Sequence, residues 1–182
     1  MHGQRFIDEY PDYGRVLSKL YQERQLDDWY KEKCMSEFVL PDKVYGIQNI
    51  NKIEVRNRNW PSAEVYISLN ELSDDSFTLL QEIQIRVSKI LPLYNVSFLH
   101  SIKHELLKSN LDLWGPPQTF ELLEVVDVIR DSLSNLGYRE LSELYDLHDT
   151  VFEWHELDGI DEVNRRLILK DAIFTDILEL CS

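Results

Sequence analysis

The sequence predicts an α+β fold: a small, mostly antiparallel sheet over about residues 43–100, an N-terminal helix, and a C-terminal bundle of three to four helices. Three observations predict it. Short segments with alternating apolar and polar residues crowd between Val44 and Leu69, which is strand patterning. Apolar residues recur at helical spacing after Thr119. Proline and glycine number six each in 182 residues, so most of the chain is regular structure.

The first helix is predicted from about Tyr13 to Phe38, on the spacing of Val16, Leu17, Leu20, Tyr21, Trp29 and Tyr30. Pro41 closes that region. Val44 to Ile47 reads as a first short strand. Lys52 to Arg58 alternates through Ile53 and Val55, and Ala63 to Leu69 through Val65, Ile67 and Leu69. Asn49 to Asn51 and Asn57 to Pro61 supply turn residues, so a meander connects these segments. Ser73 or Asp74 then caps a helix carrying Phe77, Leu80, Ile83, Val87 and Ile90. Tyr94 to Leu99 is the last predicted strand.

After His100 the chain reads as wholly helical. Trp114-Gly115-Pro116-Pro117 is the strongest internal break. It divides one domain of 182 residues into an α+β part, 1–112, and an acidic helical part, 118–182. Thr119 caps a helix with Leu122, Val125, Val126, Ile129, Leu133 and Leu136 in one stripe, and Gly137 stands where a left-handed C-cap favours glycine. Further helices are predicted from about Arg139 to Leu157 and from about Asp161 to Leu180.

Composition bounds the class. A chain of this length buries roughly 70% of its unfolded surface and needs no metal or disulfide to make a core. Hydrophobic residues at 43% and charged residues at 29% are globular values. Cys34 and Cys181 are expected to be reduced thiols, and no apolar leader or run of roughly 20 residues suggests export or a membrane span. The expectation is a cytoplasmic protein without membrane contact.

Charge is the most informative property. The formal net charge is −14. Residues 1–110 hold 16 acids and 14 bases, whereas residues 111–182 hold 17 acids and 5 bases, which is net −12. From Glu140 to Glu162 there are nine carboxylates and no lysine or arginine. Wound as a helix at 100° per residue, Glu143, Asp146, Asp149, Glu153 and Glu156 fall on one arc of roughly 140°. Leu141, Leu144, Leu147, Val151, Phe152 and Trp154 fall opposite. Like charges at i,i+3 and i,i+4 cost a few tenths of a kcal/mol each. Asp158, Asp161 and Glu162 extend the patch. Such a field repels nucleic acid and anionic membrane and attracts basic proteins.

Catalytic patterns are weak. His100 and His104, i,i+4 with Glu105 adjacent, could share a zinc ion if helical, but no third ligand is evident. His148 and His155 would lie at the edge of the apolar side of the acidic helix. Asp42 with Glu54-Val55-Arg56 loosely follows a metal-dependent nuclease pattern, with arginine replacing the needed lysine. No catalytic residue, metal or cofactor is therefore assigned.

The sequence points to a non-catalytic acidic protein that neutralises a basic partner, such as an immunity protein for a bacterial toxin or nuclease domain. The binding residues expected are the eight carboxylates from Glu143 to Glu162 named above. The alternatives are a metal-dependent hydrolase using His100 and His104, a regulatory or scaffold domain, and a phage-encoded nucleic-acid mimic.

Overall fold

The computed structural model describes residues 5–158, 160 and 166–181. It is a mostly-sheet α+β fold. Four short helices come first: α1 (Phe6–Glu9), α2 (Pro11–Tyr21), α3 (Asp27–Met35) and α4 (Asp42–Tyr45). The strands β1 (Ile50–Arg56), β2 (Ser62–Leu69), β3 (Leu72–Ser73), β4 (Phe77–Ser88), β5 (Leu93–His104) and β6 (Leu111–Trp114) follow. Helix α5 (Phe120–Asn135) leads to β7 (Arg139–Glu140), β8 (Thr150–Glu153), β9 (Arg166–Ile168) and α6 (Leu169–Phe174).

The large sheet has seven strands in the order β1-β2-β4-β5-β6, with β3 antiparallel to β4 and β7 parallel to β5. Strands β8 and β9 form a separate antiparallel pair. Among the described residues only α2, α3 and α5 reach seven residues.

This overturns the predicted C-terminal bundle of three to four helices. One long helix, α5, stands where a bundle was expected. The long helix predicted from about Tyr13 to Phe38 is two helices. Arg24 between them takes a left-handed φ of 54° and its guanidinium grips Asp27 at 2.8 and 3.1 Å. Val44 belongs to the turn of helix α4, not to a strand.

The helix predicted over 77–90 is strand β4. Phe77, Leu80, Ile83, Val87 and Ile90 fit a helical spacing, but Ile85 lies off that stripe. With it, Ile83, Ile85 and Val87 alternate with Glu82, Gln84 and Arg86, and β-branched residues favour the pleat. Strand β5 likewise runs five residues past Leu99, and β6 turns back along it, with Leu113 opposite His100.

The segment expected as an acidic helix contains two 3-10 turns, Asp146–His148 and Trp154–Glu156, flanking β8. Thr150, Val151 and Phe152 suit a strand, and the clustered like charges would have cost a helix there. The described part of the predicted last helix is β9 and the six-residue α6.

Two cores hold the fold. One face of the large sheet, with Val65, Ile67, Ile83, Ile85 and Val96, packs on Leu122, Val125, Val126, Ile129 and Leu133 of α5. The second core joins Leu17, Leu20, Tyr21 and Tyr30 of α2 and α3 to Val151, Phe152, Leu169, Ile173 and Phe174. A disulfide between Cys34 and Cys181 ties α3 to the C-terminal segment, where reduced thiols were expected. Beside it, Asp176 accepts hydrogen bonds from the Tyr30 hydroxyl at 3.0 Å and from the Leu180 and Cys181 amides at 3.2 and 2.8 Å. Burial pushes the Tyr21 and Tyr30 hydroxyls far above the ordinary tyrosine value, with the Asp176 charge adding to both.

Candidate functional site

The expected acidic stripe does not exist as one face, because the helix that would align it is absent. Several of its carboxylates are consumed locally. A segment without regular hydrogen bonding leaves backbone N–H groups that need acceptors, and these side chains supply them. Asp146 accepts from the Ser142 amide at 2.8 Å. Asp149 accepts from the Phe6 amide and so anchors the N-terminal helices. Glu153 and Glu156 form a reciprocal capping box, the Glu153 amide reaching the Glu156 carboxylate at 2.7 Å. Glu156 also meets Arg5 at 3.4 Å.

Glu140 takes a two-pronged ion pair from Arg130 at 2.7 and 2.9 Å. The neighbouring Tyr94 hydroxyl is pushed up to about 12, by burial first and by Glu140 second. Of the binding residues expected from the sequence, Glu143, Glu153 and Asp158 are exposed, and Asp161 and Glu162 lie outside the described residues.

A one-sided acidic face does occur, on α5. Glu121, Glu124, Asp127 and Asp131 are all exposed. At 100° per residue they occupy an arc of about 120°. They span about 15 Å at 1.5 Å per residue. No lysine lies on this helix. Its one arginine, Arg130, is turned to Glu140, with Asp127 at 3.9 Å from it. Phe120 lies within the same arc and is 83% exposed, and Leu123 at its margin is also exposed.

The apolar stripe that marks α5 in the sequence is its inner face, opposite these acids. The same winding would have found the acids.

The neighbouring sheet edge adds apolar surface. Among the described residues strand β6 pairs with β5 alone, and all four of its residues are exposed. Leu111 and Leu113 stand opposite Ile102 and His100, so they share the sheet face that α5 covers. Thr119 fixes the start of α5 over the sheet, accepting from the Leu122 amide and donating to Gln81 Oε1 of β4 at 3.0 Å. Leu111 and Leu113 are thus exposed on the sheet face that α5 covers, and Phe120 and Leu123 are exposed on the first turn of α5 itself, beside its acids. Single exposed apolar residues are ordinary, but a grouped set with a charged rim marks an interaction surface.

The histidines do not assemble. His100 and His104 sit on one strand, about 13 Å apart along it at 3.3 Å per residue, and cannot share an ion. His100 is buried, with Nε2 3.0 Å from the Pro116 carbonyl and Nδ1 3.4 Å from Gln81. His104 Nδ1 accepts from the Leu106 amide at 3.1 Å. His148 and His155 are exposed in the two 3-10 turns and not at a core edge. Asp42 begins α4, while Glu54 is held between Lys52 and Arg56, whose hydrogen bonds pull its carboxyl down to about 2. Among the described residues, no three His, Cys, Asp or Glu side chains gather to hold a metal, and no helix is long and apolar enough to cross a membrane.

A cleft of about 270 Å³ lies on the other face of the large sheet, with Trp114, Glu143, Leu147 and Lys170 among its lining residues. No protein family, curated protein or solved structure matches the chain.

Proposed function

We propose that this chain is a non-catalytic binding protein that neutralises a basic protein partner, most concretely as the immunity protein of a bacterial toxin. One observation carries the reading: the outer face of α5 presents Glu121, Glu124, Asp127 and Asp131 around Phe120, with Leu123 and the β6 edge beside it. An apolar patch gives contact area once docked, and a surrounding field of one sign steers the approach. The net −12 of residues 111–182 extends that field beyond the patch. Two copies of so acidic a face would repel one another, which favours a basic partner over self-association.

The pairing of Cys34 with Cys181 bears on the compartment. A persistent disulfide fits an oxidising environment better than the cytoplasm expected from the sequence. Counting free thiols in protein trapped directly from its native compartment decides this.

The functional test is charge reversal. The triple variant Glu121→Lys, Glu124→Lys, Asp127→Lys should slow association with a co-purified partner at least tenfold at low salt and flatten its salt dependence. A matched reversal of Glu153 and Asp158 should have a smaller effect. An α5 variant that associates at the wild-type rate refutes this docking face.

A further inference from the structure

We propose that the cleft on the open face of the large sheet is a saccharide-binding site. Its floor is built from two cross-strand rows. Registers place Glu64, Arg86 and Asn95 side by side across β2, β4 and β5, and Tyr66, Gln84 and Ser97 in the next row. All six are half-buried and polar. The side chains of Val65 and Ile85, which also border the cleft, are buried on the opposite face.

Three properties select the ligand. First, the charges cancel: Glu64 and Glu143 stand against Arg86 and Lys170, so the cleft favours no net charge. Second, the floor offers donors and acceptors together, with the Tyr66 ring, Trp114 and Leu147 supplying apolar surface beside them, whereas ordinary ligand pockets are lined mostly by apolar side chains. Among the described residues no hydrogen bond or ion pair engages the Arg86 guanidinium, the Lys170 ammonium or the Ser97 hydroxyl. Asn95 and Gln84 spend only amide N–H groups, on the Leu141 carbonyl at 3.3 Å and Glu82 at 2.7 Å, leaving their amide oxygens open. Planar guanidinium and amide groups suit adjacent hydroxyls, which donate and accept at once.

Third, Trp114 forms a wall and is 61% exposed. It stands opposite Leu99 on β5, on the open face and next to the row of Ser97. A large aromatic surface left in water beside a polar floor suits a molecule with one C–H face and a hydroxyl rim. The volume is slightly below the roughly 300–1,000 Å³ of typical ligand pockets, which fits a mono- or disaccharide.

A solvated sheet face would show similar polarity, because antiparallel sheets commonly leave one face wet. This face differs in being enclosed by Trp114, Leu147 and Lys170 from outside strands β2, β4 and β5 and, among the described residues, in leaving the Arg86 guanidinium without an ion pair. The guanidinium is instead packed 5.7 Å from the centre of the Phe174 ring.

The test is ligand-observed NMR on the purified full chain, with glucose, galactose, N-acetylglucosamine, maltose, lactose and chitobiose as probes. At least one sugar should show saturation transfer at millimolar concentration. Trp114→Ala should weaken it about tenfold, the loss of one aromatic contact of roughly 1.4 kcal/mol. Gln84→Ala, within the floor, should weaken it too. Phe120→Ala, on the α5 face, should leave it unchanged, which separates this site from the docking surface. Silence from all six sugars overturns the proposal, as does binding that survives both cleft variants. Competition by inorganic phosphate or glycine at equal concentration also overturns it, since the cleft would then select charge.

Discussion

Breaking the Cys34–Cys181 link should strongly destabilise this fold. The two cysteines are 147 residues apart, so the bridge closes most of the chain into one loop. In the chain-entropy model, a closed loop of this size removes unfolded-state freedom equivalent to about 5 kcal/mol at 25 °C, while native disulfides commonly yield 2–5 kcal/mol. Domains are stable by only about 5–15 kcal/mol in total. The loss is therefore a large fraction of the whole. Urea titration followed by circular dichroism, with and without a phosphine reductant, measures it. The reduced protein should unfold at a lower urea midpoint with a steeper slope, because its unfolded chain exposes more surface. Cys34→Ala with Cys181→Ala should behave like the reduced wild type, apart from a small cavity cost at the fully buried Cys34. Equal midpoints for oxidised and reduced protein would refute the reasoning and return both cysteines to the free thiols expected from composition.

Leu133→Ala, fully buried between α5 and the sheet, should cost about 2–5 kcal/mol by thermal melt. Gly14→Ala should destabilise the N-terminal helices, because a Cβ there would sit 2.9 Å from the Ile7 carbonyl oxygen; Gly115→Ala, with nothing within 4 Å, should be close to neutral. Asp149→Ala should cost about 1–3 kcal/mol by orphaning the Phe6 amide, and protease should then cut first near residue 6. The alkaline limb of stability should be steep. Tyr94 is raised from 10.0 to about 12, and Tyr21 and Tyr30 are raised further, so each favours the folded state fully below pH 10. For Tyr94 that contribution is lost as pH rises through about 12, and phenolate absorbance should show Tyr21 and Tyr30 ionising only as the protein unfolds.

The sheet was partly legible because alternation is local. β1 and β2 could be found from Ile53, Val55, Val65 and Ile67, and α5 from its stripe, its Thr119 cap and Gly137, whose φ is 82°. The errors arose where an apolar set fits two periods. In β4, residues 77, 80, 83, 87 and 90 satisfy a helix, and the strand is betrayed only by Ile85 between two polar neighbours. The joining of α2 and α3 to residues 147–178 was not legible at all. It rests on contacts far apart in sequence, such as the Tyr21 hydroxyl on the Ala172 carbonyl at 2.6 Å.

The helical reading of the acidic run fails for a related reason. Counting carboxylates treats each as a free surface charge, but a carboxylate is also a strong acceptor for a backbone amide that lacks a partner. Residues 140–158 are mostly irregular, and Asp146, Asp149, Glu153 and Glu156 serve that need. A helix satisfies its own interior amides, so its outward carboxylates have no such work. Glu124, Asp127 and Asp131 fall past the first turn of α5, where no amide awaits them. They also cost the helix some stability through like-charge spacing at i,i+3 and i,i+4. Replacing Glu124 and Asp131 with glutamine should therefore leave the melting temperature unchanged or raise it slightly, while weakening attraction to a basic partner. Replacing Glu153 and Glu156 should lower the melting temperature and change attraction less. The opposite pattern would show that the run from Glu140 to Asp158, and not α5, carries the binding charge.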